Sequence, residues 1–256
     1  MKKIIGSHSK VPTELIYLET AALPIEFILA SRRINYLHNI LVKKDHELTK
    51  RVYECQIKNP SKGDWCNLVR NDMAMIGLDM SNGDICGKTR QEFKTIVKTH
   101  VKSAAFNALK CLQDQHKKIK HIKYSQFKIQ DYMKSSNFSS EEMSTLFNMR
   151  ADTINSFKMC FPSVYRNDKT CKLSCSEEED SISHIFKCKA LNKHENNTNP
   201  QYEAIFSDII SQKQAVSRFM TLQCSRVSLL QSDTAYQGIV LDTCTPANAG
   251  EAGERP

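Results

Sequence analysis

The sequence predicts a mostly α-helical protein, on three observations. Glycine and proline are scarce, 8 and 7 in 256 residues, which leaves few punctuation points for turn-rich β structure. Apolar residues recur at three- and four-residue spacing over long stretches, the pattern of helices with one buried face. Asp64 and Ser139 stand where a side-chain oxygen can cap the first backbone N–H groups of such stretches.

Pro12 and Pro24 suit helix beginnings, where a missing N–H costs nothing. The run TELIYLETAAL between them reads as a short helix, and a longer one follows Pro24. In that second helix Ile25, Ile28, Leu29, Tyr36, Leu37, Ile40 and Leu41 recur up to a polar break at Lys43, Lys44 and Asp45. A third helix covers 47–57 and ends at Asn59 and Pro60, because the residue before proline avoids helical backbone angles. Asp64 caps a fourth over 65–76, which Gly77 stops.

The strongest helix runs from Arg90 to about His116, with an apolar stripe of Phe93, Ile96, Val97, Val101, Ala104, Ala105, Ala108, Leu109 and Leu112. A basic stretch, KKIKHIKYSQFKIQDY, follows it with Tyr124, Phe127 and Tyr132 interleaved; Tyr36 and Phe127 read as core. Ser139 and Glu142 form a capping box that starts a helix toward Arg150. A connector at 157–167 leads to a cysteine-rich element, and 202–210 and 215–222 read as two short helices. From about Ser232 small and polar residues predict a disordered tail. The expected division is therefore a basic helical region (1–150), a metal-stapled subdomain (151–195), short helices (196–231) and a tail (232–256).

Charge is unevenly spread. Residues 1–130 hold 23 Lys and Arg against 12 Asp and Glu, residues 131–200 hold 9 against 10, and the remainder 4 against 6. The basic half has the footprint of a polyanion-binding surface, although lysines on solvated helix faces produce the same tally. No leader with an adequate apolar core opens the chain, and the longest apolar stretch is broken by Arg32 and Arg33. The chain reads as soluble and intracellular, nuclear or cytoplasmic, with no membrane partner and nothing that fixes its oligomeric state.

Cys171, Cys175, His184 and Cys188, in CKLSCSEEEDSISHIFKC, form a Cys-x3-Cys-x8-His-x3-Cys constellation. A tight turn presents two thiolates, and His184 and Cys188, four apart, share one helical face. Soft sulfur and imidazole donors in that number suit a closed, structural Zn²⁺ site. About 30 residues bury too little apolar surface to fold unaided, so ligation would hold this element together. Three thiolates leave the site net negative, and its loop adds Glu177, Glu178, Glu179 and Asp180. That tip repels phosphate, so any contact here falls to Lys169, Lys172, Lys187, Lys189 and Lys193. The other cysteines, Cys55, Cys66, Cys86, Cys111, Cys160, Cys224 and Cys244, read as small buried hydrophobes.

Catalytic motifs are missing from the sequence: no phosphate-cradling Gly-rich loop, no Gly-x-Ser-x-Gly elbow, no His-Glu-x-x-His helix and no Asp-Asp pair. Several phrases nonetheless occur in a familiar order. They are HSKVPTELIYLETAALPIEFILASRRINYLHNIL, Val52-Tyr53, Gly63-Asp64-Trp65, His121-Ile122-Lys123-Tyr124, Tyr132-Met133-Lys134-Ser135 and FSSEEMSTLFNMR, with the Cys/His cluster after them. Over residues 4–191 the chain resembles the region that follows the polymerase palm in non-LTR retrotransposon reverse transcriptases.

The resemblance implies a thumb-like helical bundle and a terminal zinc knuckle. The family's Tyr/Phe-x-Asp-Asp motif is absent, so the expectation is a catalytically incomplete carboxy-terminal piece of an RNA-directed DNA polymerase, not an enzyme by itself. By the same resemblance it would bind RNA, DNA or an RNA–DNA hybrid without sequence preference, through Arg32, Arg33, Lys117, Lys118, Lys120 and Lys123, with Tyr124 stacking on a base. Two alternatives stand beside it: a zinc-stapled helical protein-interaction module, and a decayed fragment without selected function.

Overall fold

The computed structural model describes residues 11–117, 119–152, 170–171, 173, 181–192 and 202–232. The connector expected at 157–167 and the tail beyond 232 lie outside them. The protein is mostly α-helical: ten α-helices and one 3-10 helix, and no strand, are found among the described residues. The chain divides into two compact units, one spanning Thr13–Gln130 and the other built, among the described residues, from Val11, Pro12 and those from Asp131 onward.

The first unit holds α1 (Thr13–Thr20), α2 (Ile25–Leu41), α3 (Leu48–Lys58), α4 (Trp65–Met75), α5 (Asn82–Cys86) and α6 (Arg90–Gln115). Helix α2 is its hub, packing on α3, α4, α5 and α6, while α1 packs on α6. The buried seam of α2 is Phe27, Ala30, Ile34, Leu37 and Leu41, alternating three and four residues. Helix α6 buries a row at strict four-residue spacing, Phe93, Val97, Val101, Ala105, Leu109 and Gln113, of which Phe93 to Ala105 share the core with α2. That seam is narrower than the stripe read from the sequence, since Leu112 is 49 % exposed and Ala108 is exposed. On α2 the reading also shifts: Ile25, Leu29 and Tyr36 point to solvent, and Tyr36, expected in the core, is 48 % exposed.

Punctuation follows the sequence closely. Asp64 accepts the Asn67 N–H at 2.7 Å and caps α4, and Gly77, at φ +65°, ends it in a backbone conformation that a side chain resists. Thr89 and Glu92 make a capping box at α6. Helix α5 was not foreseen; Ser81 and Asp84 box its start in the same way.

The second unit contains α7 (Asp131–Lys134), α8 (Ser140–Arg150), α9 (Ile182–Lys187), a 3-10 helix (Tyr202–Phe206) and α10 (Ile209–Ser232). Its core gathers Leu146 and Met149 of α8, Ile182, Ile185 and Phe186 of α9, Ile205, and Val216, Phe219 and Leu222 of α10. Buried Arg150 donates to the Ile205 carbonyl at 2.9 Å and lies over the rings of Tyr132 and Phe206. Burial, reinforced by the nearby Asp152 and Glu203 carboxylates, pushes the Tyr202 phenol up to about 12.

Two expectations are corrected here. The Ser139–Glu142 capping box starts α8 as expected, but α8 packs on α10, so the units part after Gln130 and not at 150. The two short helices expected near the end are a 3-10 turn and one long helix. Asp208 accepts the N–H groups of Ile210 and Ser211, at 2.9 and 3.0 Å, and so starts α10; the polar run after it is a first turn, not a break.

Candidate metal centre and basic groove

Cys171, His184 and Cys188 converge as a buried group whose ligand atoms all lie within 4.8 Å of one another, a group able to hold a metal ion. The Cys171 and Cys188 sulfurs are 4.0 Å apart, far beyond the roughly 2.05 Å of a disulfide. Local structure sets these positions. Ser181 caps α9 by accepting the His184 N–H at 3.1 Å, which fixes His184 in the first turn, and Cys188 is the C-cap one turn later. The apolar side of α9, Ile182, Ile185 and Phe186, is fastened in the core.

Behind Cys188 its carbonyl accepts the N–H groups of Leu191 and Asn192, both at 3.1 Å, and the Asn192 amide at 2.8 Å. Asn192 also bonds the Phe186 carbonyl at 3.2 Å, and Arg218 of α10 grips its side-chain oxygen at 2.5 Å. The longest helix of this unit thus ties down the turn that carries one thiol. Cys175, the acidic tip 177–180, and Lys169, Lys172 and Lys193 lie outside the described residues; Lys187 and Lys189 are exposed.

The cations expected to meet nucleic acid fall into separate places. Arg33 is committed inside the fold: its guanidinium holds the nearly buried Asp72 by two hydrogen bonds, at 2.5 and 2.8 Å. Arg32, next to it in sequence, is exposed and lines a groove between α2 and α6. Lys117, Lys120 and Lys123 are exposed beyond the far end of α6, about 26 Å of helix rise from Lys98. There Gln113 donates to the carbonyls of Ile119 and Ile122, both at 2.7 Å, so the isoleucines turn inward and the lysines outward. Lys118 lies outside the described residues. Tyr124 corrects an expectation: it is 6 % exposed and its hydroxyl donates to buried Glu19, so its ring is not offered to a base.

The groove itself was not foreseen. It is an open groove of about 480 Å³ lined by Arg32, Arg90, Lys94 and Lys98, with Ser31, Asn35, Tyr36, His38, Asn39 and Phe93, and no carboxylate is among its lining residues. No ion pair engages Arg32, Arg90, Lys94 or Lys98 among the described residues. Many of the unit's carboxylates are used elsewhere: Asp64, Asp84 and Glu92 cap helices, Asp45 and Glu47 pair with Lys50 and Lys43, and Asp72 holds Arg33. A signal for the groove did exist in the sequence. Arg90, Lys94, Lys98 and Lys102 recur every four residues, one position behind the buried row of α6.

The scattered cysteines also depart from expectation. Only Cys66 is buried, where desolvation raises its thiol pKa, while Cys55, Cys86, Cys111 and Cys224 are exposed; Cys160 and Cys244 lie outside the described residues. No described helix is long and apolar enough to cross a membrane. Compared with known protein families, curated proteins and solved structures, the chain matches none.

Proposed function

We propose that this chain is a catalytically incomplete, carboxy-terminal segment of a retroelement-type RNA-directed DNA polymerase. In this reading it holds nucleic acid by the sugar–phosphate backbone through the Thr13–Gln130 unit, and zinc staples the other unit. The groove of Arg32, Arg90, Lys94 and Lys98, uncompensated by any lining carboxylate, carries the binding half of the proposal. Unpaired cations on a helix face supply the sequence-independent part of nucleic-acid affinity by releasing counterions from phosphates. The ordered phrases over residues 4–191 support the parentage, and the missing Asp-Asp pair supports the lack of polymerase chemistry.

Zinc suits the donor set of Cys171, His184 and Cys188. Two Zn–S bonds of about 2.3 Å at a tetrahedral angle hold their sulfurs about 3.8 Å apart, close to the 4.0 Å between Cys171 and Cys188. Cys175 supplies the fourth donor in this reading. The role is structural, since four protein ligands leave no open position.

The test is affinity for an RNA–DNA hybrid across a salt series. Binding through about six phosphates loses roughly a thousandfold between about 50 and 200 mM salt. A flat or absent response rejects the proposal. It would favour a protein-interaction module instead, for which Leu48 and Val52, exposed one turn apart on α3, are the supporting observation.

A further inference from the structure

Helix α2 brings two kinds of group to the groove it forms with α6. Arg32 joins Arg90, Lys94 and Lys98, whose four-residue spacing advances them about 6 Å per step along α6. Tyr36, one turn on from Arg32, lines the same groove with about half of its surface open. Its ring is braced rather than loose: it meets Trp65 edge to face at 5.8 Å, and Trp65 meets Tyr53 at 6.2 Å. Tyr53 is itself anchored, its hydroxyl donating to the Asn82 side chain at 3.2 Å. On the groove wall, Asn39 makes no side-chain hydrogen bond among the described residues and so has both donors and an acceptor to offer.

We propose that the α2–α6 groove binds single-stranded nucleic acid, with one unstacked base on Tyr36 and the flanking phosphates on Arg32, Arg90, Lys94 and Lys98. The inference rests on the polyanion reading above and narrows it. Cationic tracks alone suit single and double strands equally. A fixed, half-open aromatic ring among them does not, because a duplex keeps its base faces inside the stack and an unpaired strand can present one. The volume agrees: 480 Å³ lies in the range of sites that enclose a small molecule or one nucleotide.

The experiment is fluorescence anisotropy of the full chain with a 12-nucleotide single strand, in RNA and DNA arms, and with a blunt duplex of equal length, over a salt series. Single strands should bind at least tenfold tighter than the duplex, and a preference for RNA or DNA leaves the site assigned. Tyr36→Ala should cost the single strand about tenfold and leave the duplex unchanged, while Tyr36→Phe, which keeps the ring face, should retain affinity. Lys94→Gln with Lys98→Gln should flatten the single-strand salt slope by about 1.4. Equal binding of both forms, with Tyr36→Ala silent, overturns the single-strand site while leaving backbone binding intact. Absence of salt-sensitive binding to either form overturns both readings.

Discussion

In the Thr13–Gln130 unit the core is a continuous seam: the α2 row from Phe27 to Leu41 faces the α6 row from Phe93 to Ala105, and α3, α4 and α5 close around it. Its polar groups work both locally, as helix caps, and at long range, through the Arg33–Asp72 pair and the hydrogen bond from Tyr124 to buried Glu19. From Asp131 onward the elements are shorter, except for α10, and the buried polar groups include a cluster of possible metal ligands. Arg150 is buried under two aromatic rings, and Cys171, His184 and Cys188 are buried together. The first unit is held by apolar area. The second adds a buried donor cluster that repays its desolvation only when something binds it.

The strongest way to break this comparison is to remove the metal proposed for the Cys171, His184 and Cys188 cluster. Structural zinc contributes roughly 10 kcal/mol or more of apparent free energy in small finger modules, comparable to the whole stability of a domain. Chelation, or Cys188→Ser, should open the region from Asp131 onward to protease, while cleavage within Thr13–Gln130 stays slow. Elemental analysis should find about one zinc per chain before treatment and a large loss in Cys175→Ser. A Cys175→Ser protein with undiminished zinc would falsify the four-ligand assignment.

Asp72→Ala tests the opposite unit with a smaller effect. It deletes the partner of Arg33, whose two hydrogen bonds link α2 to α4, and should cost about 2 kcal/mol. Denaturant unfolding followed by Trp65, which lies in the same unit, reads it directly. The same change frees one more cation on α2. If α2 is a phosphate-facing helix, affinity for nucleic acid should hold or rise while stability falls, an opposite movement that a purely structural helix does not produce.

These residues also mark what could be read beforehand. Helix existence and caps were legible because they are local: Asp64, Gly77 and the Ser139–Glu142 box act within four residues of themselves. Part of the Cys/His group was legible for the same reason: His184 and Cys188 stand one turn apart at α9, and the structure brings them together with Cys171. Which of Arg32 and Arg33 stays free was not legible. The two sit about 100° apart on α2, and the choice is made by Asp72, 39 residues from Arg33. Tyr36 and Tyr124 exchanged places with expectation on similar grounds. Trp65 props the first ring at the surface, and Glu19, 105 residues away from Tyr124, draws the second inside.

The mildest probe is acid, because carboxylates cap helices in both units. Hydrogen bonds from Thr89, first its backbone N–H and then its hydroxyl, hold the Glu92 pKa below the usual glutamate value; Asp64 and Asp84 are lowered by their own caps. In the second unit Glu142 is lowered in the same way by Ser139, and Asp208 by the Ser211 hydroxyl and N–H. A depressed carboxylate contributes stability that is complete above its unfolded pKa, near 4.5 for Glu92, and that is lost as pH falls through the lower folded value. Glu92→Gln preserves a capping box, since an amide can also accept from the cap N–H, but removes the titration. Thermal unfolding at several pH values should therefore show the variant slightly less stable near neutrality and with a shallower loss below about pH 4.5. Parallel acid limbs in variant and parent would mean that the carboxylate at the start of α6 is a solvated charge, leaving the apolar row from Phe93 onward to hold that helix without help from its cap.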